Sequence, residues 1–227
     1  SSETYSKTLK DAEEAFSDGR HSEAIKIATS LAEEGDTNAI MTLSRAYYEG
    51  VGVEKDIEKS IYWLKEGAEL GDSDAMYKLG RAYAQGELLE QSKEKALDLL
   101  NQSIQQGSIS ALTYLALSYI ESEWLQQDDK KGIELLTQAA KTGGSKARMI
   151  LATLYEAGHT APQDSRQAFR WYKNVADEEY NLGVEQFKAQ LKVGQMLHEG
   201  RGVPQNHMEA LHYLLLAAEA QERTFNP

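Results

Sequence analysis

Few residues in this chain have the type and spacing that chemistry requires. Two glycine turns, Gly50-Val51-Gly52 and Gly200-Arg201-Gly202, have the composition of a phosphate cradle, in which free backbone N–H groups wrap an anion. Both follow helix-period rather than strand-period sequence, and neither leads into a Gly-Lys-Ser/Thr element, so a turn alone accounts for the glycines. The five histidines, His21, His159, His198, His207 and His212, include no i, i+4 pair able to hold zinc from one helix face. His207 and His212 are five residues apart and diverge around a helix. The 36 acidic residues are spread along the chain and read as a solvated surface. Spacing singles out no Ser, His and Asp constellation, because such triads are recognised by geometry. No catalytic residue, metal or cofactor is therefore assigned. The absence of cysteine excludes disulfides, thiolate metal sites and thiol nucleophiles.

Charge removes two further classes of function. With 24 Lys and Arg against 36 Asp and Glu, the 227-residue chain carries a net charge of −12. A generic nucleic-acid binder needs a basic face, and so does a protein docking on anionic lipid. A composition that is 41% hydrophobic and 26% charged is that of a folded chain, not a disordered one. No stretch approaches the ~18 apolar residues of a membrane span. The richest piece, Leu211 to Ala220, is interrupted by His212 and Glu219. The chain opens Ser-Ser-Glu, so the lack of a basic-then-apolar leader there decides nothing about compartment.

The elements that would position any site follow from a repeat. Gly35, Gly71, Gly107 and Gly143 stand 36 residues apart, and Ala39, Ala75, Ala111 and Ala147 keep the same interval. So do Leu43, Leu79, Leu115 and Leu151, and then Tyr47, Tyr83, Tyr119 and Tyr155. A fifth copy follows six residues late, with Ala189, Leu197 and Gly200. Within a unit, Ala39, Leu43, Ala46, Tyr47 and Gly50 form one helical stripe. Asp36, Asp72 and Ser108 are placed to cap that first helix, and Asp56, Asp128, Asp164 and Asn206 to cap a second one. The glycine after the second helix closes it with a left-handed residue. One such pair cannot bury its own stripe, so pairs must stack. The predicted fold is all-α, an α/α solenoid (superhelix) of stacked helix-turn-helix units.

The predicted boundaries are an N-terminal capping pair at 1–34 and units at 35–70, 71–106, 107–142, 143–184 and 185–220. A tail of 221–227 follows. The cap is led by Tyr5 and Leu9, and the insertion of 177–183 lengthens the fourth unit's second helix or the loop after it. The far end lacks an obvious polar capping helix. Either Thr224 begins a further unit or a partner covers that end.

The unit resembles the Sel1-like repeat, a relative of the tetratricopeptide repeat. Copy one carries the resemblance in Ala39, Leu43, Tyr47, Gly50, Gly52, Val53, Asp56 and Trp63, with Ser44 and Ser60 as small-for-small replacements. Copy five carries it in Ala189, Gly194, Gly200, Gly202, Val203 and Ala210. Copy three departs most, with Glu121-Ser-Glu-Trp124-Leu in place of the glycine turn. The resemblance implies a non-catalytic scaffold, most often bacterial, acting in envelope, signalling or host-contact processes. A periplasmic or secreted location is favoured by it, with a cytoplasmic one left open. Two other functions stay beside this one: an immunity-type inhibitor of a toxic effector, and a periplasmic or secreted hydrolase on a repeat scaffold.

In stacks of this kind the first helix of each pair lines the concave face. The residues there would be Met41, Arg45, Tyr48, Tyr77, Arg81, Thr113, Leu117, Ile120, Met149, Thr153 and Gln195, with Leu191, Glu156 and His198 in equivalent places. Aromatic, Met and Arg side chains are the types enriched at binding hot spots. The alternative is that neighbouring first helices bury some of them. Trp124, in the aberrant turn, is either an exposed anchor for a partner or a cover over the gap between helices. The expected partner is a protein, neutral or basic where it meets the acidic rim, with no nucleic acid and no membrane insertion.

Overall fold

The computed structural model describes residues 7–179 and 183–225, with side-chain surroundings given through 221. Tyr5 of the predicted cap, and 180–182 of the insertion, lie outside these residues. Twelve helices and no strand occur among the described residues. They are α1 (Leu9–Ser17), α2 (His21–Glu33), α3 (Thr37–Glu49), α4 (Ile57–Glu69), α5 (Ser73–Gln85) and α6 (Lys93–Gln105). Then come α7 (Ile109–Glu121), α8 (Asp129–Lys141), α9 (Ser145–Ala157), α10 (Ser165–Ala176), α11 (Val184–Glu199) and α12 (His207–Phe225). The chain forms two compact units that divide between Ala111 and Leu112, within α7.

The helix starts are set by the predicted caps. Asp36 accepts from the backbone N–H of Asn38 and Ala39, Asp56 from Lys59 and Asp72 from Ala75. Asp128 accepts from Lys131, Asp164 from Arg166 and Gln167, and Asn206 from Glu209. Each ties one or two free donors of the first turn to a side chain fixed in the preceding loop. Gly50, Gly86, Gly158 and Gly200 end the first helices with positive φ. In copy three Ser122 takes that role with φ 57, the single non-glycine residue there among the described residues. A side chain in the left-handed region costs roughly 1–2 kcal/mol.

A second closure recurs in the five pairs from α3–α4 to α11–α12. The backbone N–H of Asp56 donates to the carbonyl of Tyr47 at 2.8 Å, and Ser92 to Tyr83 at 3.0 Å. Asp128 donates to Tyr119, Asp164 to Tyr155 and Asn206 to Leu197, at 2.9–3.0 Å. The intervening loops differ in sequence, yet each is tied at the same two backbone atoms.

In the first unit, consecutive helices from α1 to α6 pack on one another. Ile25, Ala28 and Ala32 of α2 meet Ala39, Ile40 and Leu43 of α3 in one cluster. Ile61 and Leu64 of α4 meet Ala75, Leu79 and Ala82 of α5 in the next. Ser44 and Ser60, the small-for-small replacements, hydrogen-bond at 3.1 Å where α3 crosses α4, so neither hydroxyl is buried without a partner. In the second unit, α8 through α12 pack in the same consecutive way. Its core joins Phe169, Tyr172 and Val175 of α10 to Ala189, Val193 and Met196 of α11 and Tyr213 of α12.

Helix α10 ends at Ala176 and is not lengthened; seven residues, 177–183, separate it from α11 where three, 70–72, separate α4 from α5, so the loop is the longer element. Helix α11 is longer as well, with 16 residues where α3, α5, α7 and α9 have 13. Helix α12 continues to Phe225, so the predicted tail begins as helix.

The second glycine of each paired turn has a specific reason. A Cβ on Gly202 would stand 2.1 Å from the Ser165 carbonyl oxygen, at the start of α10. On Gly52 it would stand 2.7 Å from Cβ of His21, at the start of α2. The turns are glycine-rich because they lie on the preceding second helix, and this requires no phosphate. No described helix is long and apolar enough to cross a membrane.

Candidate functional site

The residues expected on the first-helix face divide into those that face outward and those that pack. In the first unit Arg45 and Tyr48 of α3 are exposed, and Lys55 lies over the Tyr48 ring at 5.5 Å. Tyr77 and Arg81 of α5 are half-buried; the guanidinium sits 5.6 Å from the ring centre and Nη1 donates to the Tyr77 hydroxyl at 3.4 Å. One helix turn separates the two, so their planar groups meet on the same face. Met41 turns the other way. It packs on the cluster formed by Ile61, Leu64 and Leu79, in the seam between one helix pair and the next.

In the second unit Thr113 is buried, while Leu117 and Ile120 are half-buried. Ile120 lies directly over Gly132 of α8, where a Cβ would come within 2.5 Å of its Cγ1. Met149 packs on the α10–α12 core as Met41 does on its own seam. Thr153 is exposed; its hydroxyl donates back to the Met149 carbonyl at 3.0 Å and stands 3.3 Å from the Tyr172 hydroxyl. Gln195 is exposed and Leu191 half-buried. Trp124 is half-buried against α7, with its ring stacked at 6.5 Å on Tyr114 and its indole N–H donating to the Ser118 hydroxyl at 2.9 Å.

The most organised polar feature, around Glu156, goes beyond what the sequence suggested. Glu156 of α9 was expected only as one more groove position. Its carboxylate accepts from the Tyr172 hydroxyl of α10 at 2.8 Å, from Lys192 of α11 at 3.0 Å and from Arg201 of the glycine turn at 2.6 Å. Only 18% of its side chain is exposed. Burial acts to raise the carboxyl, but the hydrogen bonds from Arg201, Lys192 and Tyr172 outweigh it and hold Glu156 below its ordinary range. Burial, reinforced by the Glu156 acceptor, pushes the Tyr172 hydroxyl up to about 12. Arg201 stands where copy one has Val51, and Glu156 where earlier copies have Tyr48, Ala84 and Ile120. Those two substitutions are the signal in the sequence.

The basic side chains of the second helices are also used. Lys59 lies over Tyr47 at 5.3 Å and Lys95 over Tyr83 at 5.1 Å in the first unit; Lys131 lies over Tyr119 at 4.4 Å in the second. A lysine thus covers the repeat tyrosine at one place in three copies. His198 and His207, nine residues apart across the last glycine turn, face each other with their Nδ1 atoms at 3.2 Å. Among the described residues no group of three or more His, Cys, Asp or Glu side chains is placed to hold a metal.

The Sel1 repeat model matches five segments, 38–72, 73–108, 109–143, 145–178 and 187–221. No curated protein matches the chain. Among solved structures, a Sel1 repeat protein from Oxalobacter formigenes aligns with TM-score 0.76 at 20% identity, covering 96% of this chain and 85% of that one. A protective antigen of uropathogenic Escherichia coli aligns with TM-score 0.61 at 23% identity, over 88% of this chain and 50% of its own. An immunity protein of Pseudomonas aeruginosa aligns with TM-score 0.53 at 18% identity, over 98% and 93%. At such identities the likeness is one of fold.

Proposed function

The chain belongs to the Sel1 repeat family, and we propose that it is a non-catalytic adaptor holding a segment of a partner protein on the first-helix, concave face. Sel1 repeat proteins are in general protein-interaction scaffolds. One observation carries the assignment of the face. In the first unit, Arg45 and Tyr48 of α3 are exposed and the paired Tyr77 and Arg81 of α5 are half-buried, while Met41 packs into the seam. Rigid aromatic and Arg side chains anchor a bound segment at low entropic cost, and the acidic surroundings favour one that is neutral or basic.

The processes implied by the resemblance are bacterial envelope, signalling or host-contact ones. The test is the Tyr48→Ala/Tyr77→Ala double variant. Its capture of the native partner should be lost, while helical content and melting stay near those of the parent. Unfolding of the variant would assign both rings to the core; undiminished capture would move the site elsewhere.

A second reading, neutralisation of a toxic effector, has in its favour the fold shared with the Pseudomonas aeruginosa immunity protein. It predicts that co-expression rescues cells from the product of an adjacent toxin reading frame. Growth arrest despite co-expression would remove it.

A further inference from the structure

We propose that His198 and His207 form a surface site for one divalent late transition-metal ion, such as zinc or copper(II), held by their two Nδ1 atoms. The backbone brings these residues together. In the fifth pair the N–H of Asn206 donates to the carbonyl of Leu197 at 2.9 Å. The residues that follow these two are His207, at the start of α12, and His198, near the end of α11. Gly200 closes α11 in the left-handed region, and Gln205 donates its side-chain amide to the His198 carbonyl at 2.6 Å. The imidazole centroids stand 5.0 Å apart and the Nδ1 atoms 3.2 Å apart.

That separation is a ligand bite. Two nitrogens bound at about 2.0–2.1 Å to a tetrahedral ion stand about 3.3 Å from each other, so both rings can coordinate with hardly any movement. Without metal, one Nδ1 carries a proton and donates to the other. On coordination that ring releases the Nδ1 proton to solvent and takes one up at Nε2, leaving both Nδ1 lone pairs on the ion. Imidazole nitrogen suits zinc, copper(II) and nickel rather than magnesium or calcium, which take oxygen ligands. The other coordination positions are left to water, so the affinity is micromolar, below that of a closed cage. Glu199 is paired with Arg201, and Glu209 accepts from Asn206; neither is needed as a ligand, and their charge favours a cation nearby.

The repeat makes the pair specific. At the same two places, nine residues apart, the earlier copies carry Tyr48 and Ile57, Ala84 and Lys93, Ile120 and Asp129, and Glu156 and Ser165. The same backbone closure ties each of them. Copy five alone has an imidazole at both. Access does not require the stack to end there. Tyr48, at the place of His198, and His21, at the place of His207, are exposed although further helices pack after each.

Isothermal titration of zinc chloride into the intact, tag-free chain should show one equivalent bound in the micromolar range. Copper(II) should bind more tightly, and magnesium should give no heat. His198→Gln and His207→Gln keep a hydrogen-bonding side chain yet should each weaken zinc by roughly tenfold or more. His212→Gln, on the same helix as His207, should leave it unchanged. Circular dichroism verifies that each variant is folded. Nitrogen NMR of the imidazoles should show zinc moving the Nδ1 resonances of both rings, which binding at surface carboxylates would not do. Zinc binding confined to the millimolar range overturns the proposal, as does micromolar binding that survives both glutamine variants. Coordination reported at Nε2 instead would overturn the bite geometry. Partner capture by the Tyr48 and Tyr77 face is independent of all these outcomes.

Discussion

Tyr48 on α3 and Glu156 on α9 stand at the same place in their helices, three repeat lengths apart, and the two units use that place in opposite ways. Tyr48 is exposed and touched mainly by Lys55 from the following loop. Glu156 is enclosed and joins three later segments, α10, the glycine turn and α11, through one carboxylate. The backbone frame is common to both, with a left-handed glycine after the helix and the same closure. A repeat thus specifies where a side chain starts. Whether it serves the surface or the seam depends on what the next copy places at the residue after its turn glycine: Arg201 in one case, Glu87 in the other.

The sharpest way to break this comparison is at the turns. Gly202→Ala drives a methyl group into the Ser165 carbonyl and should cost more than about 3 kcal/mol. Gly52→Ala meets a side-chain carbon of His21 at a similar φ and should cost visibly less. Equal losses in urea unfolding would mean that φ alone, not the contact, selects the glycines.

Next in size is Glu156→Ala, which removes the acceptor of Lys192 and leaves Arg201 with Glu199 alone, and should cost about 2 kcal/mol. Tyr48→Ala should stay within about 0.5 kcal/mol. The carboxyl of Glu156 is lowered in the folded chain, so its contribution is complete above the ordinary value of 4.5 and is lost as pH falls through the depressed one. The parent should therefore lose stability relative to Glu156→Gln over that acid range. At the other extreme, Tyr172 is raised from 10 to about 12, and its contribution, present below 10, should disappear as pH climbs through about 12. A pH-independent difference between parent and variant would show that Glu156 is not ionised in the network.

The smallest expected effect is a gain. Ser122→Gly removes a side chain from the left-handed region and should stabilise the chain by about 0.5 to 1 kcal/mol, read as a higher urea midpoint. No change would mean that the serine side chain compensates for its own backbone.

Much of the fold is legible in the sequence because it is local. Asp36, Asp56 and Asp164 reach only two or three residues ahead, so a cap can be read from spacing alone. The site was less legible. Met41 and Met149 fall on the same helical face as Arg45 and Thr153 by period, yet the methionines pack against the neighbouring core clusters. A 3.6-residue period gives the face of one helix and not which part of that face the next helix covers. The Glu156 network was hidden for a related reason. It joins residues 16, 36 and 45 positions apart, which only the stacking of helices brings together. Trp124 stands where two other copies have Gly52 and Gly202, and a large ring there can only lie back on its own helix.

The backbone bond from the second helix's cap to the carbonyl of Tyr47, and its counterparts in the other copies, has a practical consequence. Because no side chain takes part, the bond itself places no demand on the residues between those two atoms, and only the contacts of Gly52, Gly202 and Arg201 restrict them. In copies without those contacts, such as the third, insertions or binding loops can be introduced there while the helix ends stay tied. Evolution has already edited this stretch, from Gly-Val-Gly in the first copy to Ser-Glu-Trp in the third. A designer wanting a new recognition surface would begin at the same place.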